Sequence, residues 1–125
     1  MRRHILRLVL TLQGIYYTST GLWAIIDLEG FSRFISYQVD QPFEMHSIAA
    51  LSIVLGIAFI YAASEPERNR PLVCVAIGTA IAVIIPEIYY LPRFEQWNLL
   101  WLDLIEETIV AILLIVTFPQ KARPR

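Results

Sequence analysis

Four stretches of this chain are each long and apolar enough to cross a bilayer, and that narrows the possible folds more than any motif does. A hydrocarbon core of about 30 Å takes about 20 helical residues at a rise of about 1.5 Å each. Residues 5–26, 45–63, 72–91 and 97–118 are the stretches of that kind. The composition agrees, with 57% hydrophobic residues in 125 and a mean hydropathy of +0.57. Both values lie far above a soluble average. In lipid a backbone must satisfy its own hydrogen bonds, so successive apolar stretches of this length are helices. The expected fold is all-α: a single-domain integral membrane four-helix bundle over residues 1–125.

The basic residues orient it. Arg2, Arg3 and Arg7 precede the first span, Arg68 and Arg70 lie between the second and third, and Lys121, Arg123 and Arg125 follow the fourth. Only Arg33 and Arg93 fall on the other side. The positive-inside rule then puts both termini in the cytoplasm, as expected of a multi-pass protein of a bacterial inner membrane. The basic start could pass for a signal peptide. Gln13, Tyr16, Tyr17 and Thr18 interrupt the apolar run that follows, and no Ala-x-Ala site closes it, so a retained span is expected.

The first span carries a polar stripe. Gln13, Tyr16, Tyr17, Thr20 and Asp27 share one helical face, and Gly30 is a plausible cap after it. Leu28, Phe31, Ile35 and Val39, with Phe34 nearby, fit a short amphipathic helix in the outer interface. Gln41-Pro42 reads as a helix start, with Glu44 in the first turn where the dipole favours an acid. His46 lies two residues beyond Glu44, about 200° around the helix. Ser52, Gly56 and Ala63 in span two, and Cys74, Gly78 and Ala82 in span three, are small residues that permit close helix approach. Cys74, among Leu72, Val73, Val75 and Ala76, reads as a buried small hydrophobe. Pro86 should kink the third span near its outer end, beside Glu87.

The fourth span is the anomaly. Asp103, Glu106 and Glu107 stand within an apolar run at i, i+3 and i+4 spacing. Exposing that face to hydrocarbon would cost several kcal/mol, so it should turn toward protein or water. Every span brings at least one acid to the same outer region: Asp27, Glu44, Glu87 and the trio of span four. The expected site is an outward-facing pocket lined by these carboxylates with His46, Gln13, Tyr16, Tyr17 and Thr20. Glu106 and Glu107 are the expected functional pair. With Glu44 and His46 they could also hold a cation, through carboxylate oxygens and the His46 imidazole.

Much chemistry is excluded. His4 and His46 fall on opposite sides of the membrane, which removes bis-histidine haem ligation. One cysteine leaves no zinc-finger-type site, and no phosphate-binding glycine loop implies a nucleotide. A net charge of -1 offers no basic field for nucleic acid. Three functions remain. The pocket binds or passes a cation or a small polar or amphipathic ligand. Alternatively the chain is an accessory subunit whose acids pair with a partner's basic residues, in a homo-oligomer or a larger membrane complex. The third is a membrane-embedded acid–base enzyme, isomerase- or cyclase-like, on a lipid or isoprenoid. There Glu106 or Glu107 would donate a proton, with His46 or Glu44 as base.

The layout resembles the DoxX-like group of small four-span bacterial membrane proteins. The likeness rests on the length, on Gly21-Leu22-Trp23-Ala24-Ile25-Ile26-Asp27 closing span one, on Tyr61-Ala62-Ala63 closing span two, and on the acid in span four. It implies the four-span fold and lends no catalytic residue, because the group is functionally heterogeneous. The density of acids in span four departs from it.

Overall fold

A computed structural model describes residues 1–36, 38–93 and 100–119, and these are helical or in short connections with no strand among them. Helix α1 spans Arg2–Ile26, α2 Leu28–Ile35, α3 Pro42–Ser64, α4 Arg70–Tyr90 and α5 Leu100–Val116; a short 3-10 turn, Leu91–Arg93, prolongs α4. The four long helices fall on the four apolar runs, with ends a few residues from those expected. The expected start of the fourth span at Trp97, and the basic Lys121, Arg123 and Arg125, lie outside the described residues.

Local chemistry sets the helix ends. Pro42 opens α3 at a position where its missing N–H costs nothing. Gly30 does not cap α1. Asp27 ends that helix by leaving helical geometry (φ -141°, ψ 74°), and its carboxylate accepts the Gly30 N–H at 2.9 Å. One residue thus closes α1 and caps α2, which places Gly30 inside α2. Ser36, at φ 55°, closes α2 in the left-handed region.

α1 and α3 form the tightest pair, antiparallel. Gly14 lies against Gly56, Gly21 against Ala49, and the Arg7 Nε donates to the Ala63 carbonyl at 3.0 Å. A Cβ added at Gly14 would stand 2.6 Å from the Gly56 oxygen, and one at Gly21 2.6 Å from the Ala49 oxygen. Ordinary carbon contacts begin near about 3.5 Å, so the two backbones touch as no side chain would allow. The small-residue stripe of α4 does no such packing. A Cβ added at Gly78 would meet nothing within 4 Å beyond its own helix, and Cys74 and Ala82 are exposed. The inward face of α4 is instead Val73, Ala76 and Ala80.

α4 packs on α5, α5 on α1 and α3 on α4, which closes the ring. Leu6, Leu10, Phe59, Val73 and Leu114 fill its interior toward the end where the chain begins. That end is basic. Arg3 pairs with Glu67 at 3.1 Å, Arg2 donates to the Val116 carbonyl at 2.6 Å, and Arg70 lies over the Phe118 ring. Two helices, Pro42–Ser64 and Arg70–Arg93, are long and apolar enough to cross a membrane. α1 has the length but carries Gln13, Tyr16, Tyr17, Thr18, Ser19 and Thr20 at its middle, and α5 has 17 residues with three acids.

Candidate functional site: a carboxylate-floored cavity

α5 is sorted by face. Leu102, Ile105, Ile109 and Ile112 point out, while Glu107, Val110, Ala111 and Leu114 point in. The three acids fall on or beside the inward face. Asp103, Glu106 and Glu107 each offer an oxygen, and these oxygens lie within 4.8 Å of one another. Like charges at that spacing repel strongly away from water, so the site needs donors, protons or a cation.

α1 supplies two donors. The Tyr17 hydroxyl donates to Glu107 Oε1 at 2.6 Å, and the Tyr16 hydroxyl donates to Asp103 Oδ1. The Tyr17 ring is held edge-on between Tyr16 and Phe59, with both centroid distances 5.9 Å. From α4, Glu87 comes up beside Asp103.

Donors then run short. Glu107 is 1% exposed, yet its Oε2 has no hydrogen-bond partner. Oε2 of Glu106 and Oε2 of Glu87 are buried and unpartnered as well. Among the described residues, the ion pairs join Arg3 to Glu67, Arg33 to Glu29 and Arg68 to Glu65, and none reaches these acids. Arg93 lies over the Tyr89 ring at 3.8 Å.

Above the acids is a cavity of about 430 Å³. Asp103, Glu106 and Glu107 line its polar part together with Tyr16 and Tyr17. Its other walls are largely apolar: Trp23 from α1, Phe31, Phe34 and Ile35 from α2, Val83 from α4, and Leu100 and Leu102 from α5. Trp23 packs against both phenylalanines, with centroids 5.8 Å from Phe31 and 4.9 Å from Phe34. The cavity thus joins a carboxylate floor to an aromatic wall.

The structure gathers some of the expected pocket residues and leaves others apart. Asp103, Glu106, Glu107, Tyr16, Tyr17 and Thr20 line the cavity, while Glu87 lies beside Asp103 without lining it. Gln13 lies outside it, 1% exposed, with its Nε2 donating to the Ala76 carbonyl at 3.4 Å. Asp27 is occupied in capping α2. Glu44 and His46 are exposed near the start of α3 and line no part of the cavity. The rotation of α3 explains this, because Ala49 is the residue that turns inward against Gly21. The oxygen cluster that could hold a cation is therefore Asp103 with Glu106 and Glu107, without Glu44 or His46. Sequence reasoning placed Phe31 and Phe34 at the interface and missed them as cavity walls, along with Trp23 and Ser52. The signal available was the aromatic run ending α1 and filling α2, directly above the polar stripe.

No protein-family profile, curated protein or solved structure matches the chain.

Proposed function

We propose that this chain is a four-span membrane protein, both termini cytoplasmic, whose outward-opening cavity binds or passes a cationic small molecule. Several features support the membrane part. The apolar segments of α3 and α4 are only 28% and 17% buried within the fold. A core helix of a soluble domain hides most of such a surface, so these faces are suited to lipid. Ile48, Leu51, Val54 and Ile57 of α3, and Ile81, Ile85 and Ile88 of α4, form that outer surface. The end holding Arg2, Arg3, Arg7, Arg68 and Arg70 is the cytoplasmic one by the distribution of basic residues.

One observation carries the binding reading. Glu107 is buried beside a cavity with one oxygen unpartnered, in a cluster of acids that no basic residue in the described chain neutralises. A buried carboxylate without a donor or counter-charge costs several kcal/mol, and a cation in the cavity offsets that cost. The accessory-subunit reading would supply the charge from a partner's Arg or Lys. A ligand in the adjoining cavity supplies it within the fold that this chain itself builds.

The test is ligand-induced stabilisation. The purified protein in detergent is melted with and without a panel of divalent metal ions and organic ammonium ions. At least one class raises the melting temperature of the wild type, and the rise disappears in Glu107→Gln. A wild type indifferent to both classes, at concentrations up to the millimolar range, refutes the proposal.

A further inference from the structure

Resting on that reading, we propose that the cavity selects a primary ammonium carried on a flat apolar body, an arylalkylamine, in preference to a metal ion. Three features converge on this class.

The first is donor demand. Oε2 of Glu106 and Oε2 of Glu107 are both buried without a partner. A primary ammonium carries three N–H donors, enough for both oxygens and one neighbour. A quaternary ammonium has none and would leave the acids unsatisfied. The second is size. A volume of about 430 Å³ lies in the range of small-molecule sites of roughly 300–1,000 Å³ and far exceeds the space one ion occupies. A divalent ion on Asp103, Glu106 and Glu107 would leave most of the cavity unfilled, with apolar walls facing it. The third is the wall itself. Trp23, Phe31 and Phe34 form a continuous aromatic surface over the acid floor. Such a surface stacks on an aromatic ring and favours a cation nearby. The Tyr17 hydroxyl already donates to Oε1 of Glu107, which leaves Oε2 as the acceptor for the charged end of the ligand.

The probe is 2-phenylethylammonium, titrated calorimetrically into the purified protein in detergent, with its N,N,N-trimethyl derivative and Mn²⁺ titrated in parallel. 2-Phenylethylammonium binds at one site. Its affinity falls about tenfold or more in Glu107→Gln, which keeps the acceptor for Tyr17, and likewise in Glu106→Gln. It falls again in Phe34→Ala, a truncation at a partly exposed ring. Phe43→Ala, 83% exposed and away from the cavity, leaves binding unchanged. Circular dichroism melting of each variant separates lost binding from lost fold. Trimethyl derivative binding as tightly as the primary amine overturns the inference. So does Mn²⁺ binding in the absence of amine binding, although that outcome keeps the cation-binding function. Binding of none of the three probes removes both.

Discussion

The contact between α1 and α3 makes a quantitative prediction, because three glycines of this chain meet very different surroundings. A Cβ at Gly14 would stand 2.6 Å from the Gly56 oxygen and 3.0 Å from the Ile60 nitrogen. Both are backbone atoms of α3, which cannot rotate away as a side chain can. Restoring a contact of about 3.5 Å requires the two helices to part by several tenths of an ångström along that face. Overpacking of this kind costs about 1–3 kcal/mol, while alanine in place of a helical glycine returns about 1 kcal/mol in propensity. Gly14→Ala should therefore destabilise by up to about 2 kcal/mol. Gly78 has nothing within 4 Å, so Gly78→Ala should stabilise by about 0.5–1 kcal/mol through propensity alone. Gly56→Ala should resemble Gly14→Ala, since its Cβ would meet Thr18 Oγ1 and the Gly14 oxygen. One separation of the helices relieves both clashes, so the Gly14→Ala/Gly56→Ala double variant should cost less than the sum. The assay is reversible unfolding in mixed detergent micelles followed by circular dichroism. Gly14→Ala as stable as Gly78→Ala would refute the close backbone packing on which the bundle is built here.

Other perturbations probe the site and the orientation. Tyr17→Phe removes the donor to Glu107 Oε1 and leaves both oxygens of a buried carboxylate unpartnered. It should destabilise by about 1–3 kcal/mol, and by much less in a Glu107→Leu background, which has no acceptor to lose; equal costs in both would break the pairing. Asp27→Ala deletes the cap of α2 and should cost about 1 kcal/mol. It should also weaken amine binding without touching the carboxylates, and unaltered affinity would separate α2 from the site. In a Cys74→Ala background, a membrane-impermeant maleimide applied to intact cells should label Gln38→Cys and spare Ser64→Cys. The reverse pattern would invert the topology.

Much of the architecture was legible in the sequence because apolar length and the residues at helix ends are local properties. The four long helices and the short α2 follow from runs of Ile, Leu and Val, from Pro42 at a helix start, and from Leu28, Phe31 and Ile35 on one face. The trio on α5 was legible too, since acids in an apolar run are conspicuous. Helix rotation was not. Glu44 and His46 are as suitable in type as Glu87, yet the approach of Ala49 to Gly21 turns them outward. A pattern of small residues likewise does not say whether it meets a partner. Gly14 and Gly56 are in contact and Gly78 is not, although the stripe through Cys74, Gly78 and Ala82 has the more regular spacing. The pairing of Tyr16 with Asp103 and Tyr17 with Glu107 spans nearly the whole chain and depends on two helix rotations at once.

The two tyrosine–carboxylate links have a mechanical consequence. They join adjacent residues of α1 to residues one turn apart on α5, so they act as two pins through the same pair of rods. Sliding α5 along α1 by one turn, about 5.4 Å, would break both together. α1 is in turn seated on α3 by direct backbone contact, so three of the four long rods behave as one stiff frame. The compliant part of the enclosure is then α2, eight residues hung from Asp27 and ended at Ser36, with no fully buried side chain of its own. A displacement of that short arm would reshape the wall it lends to the cavity, while the frame kept its form.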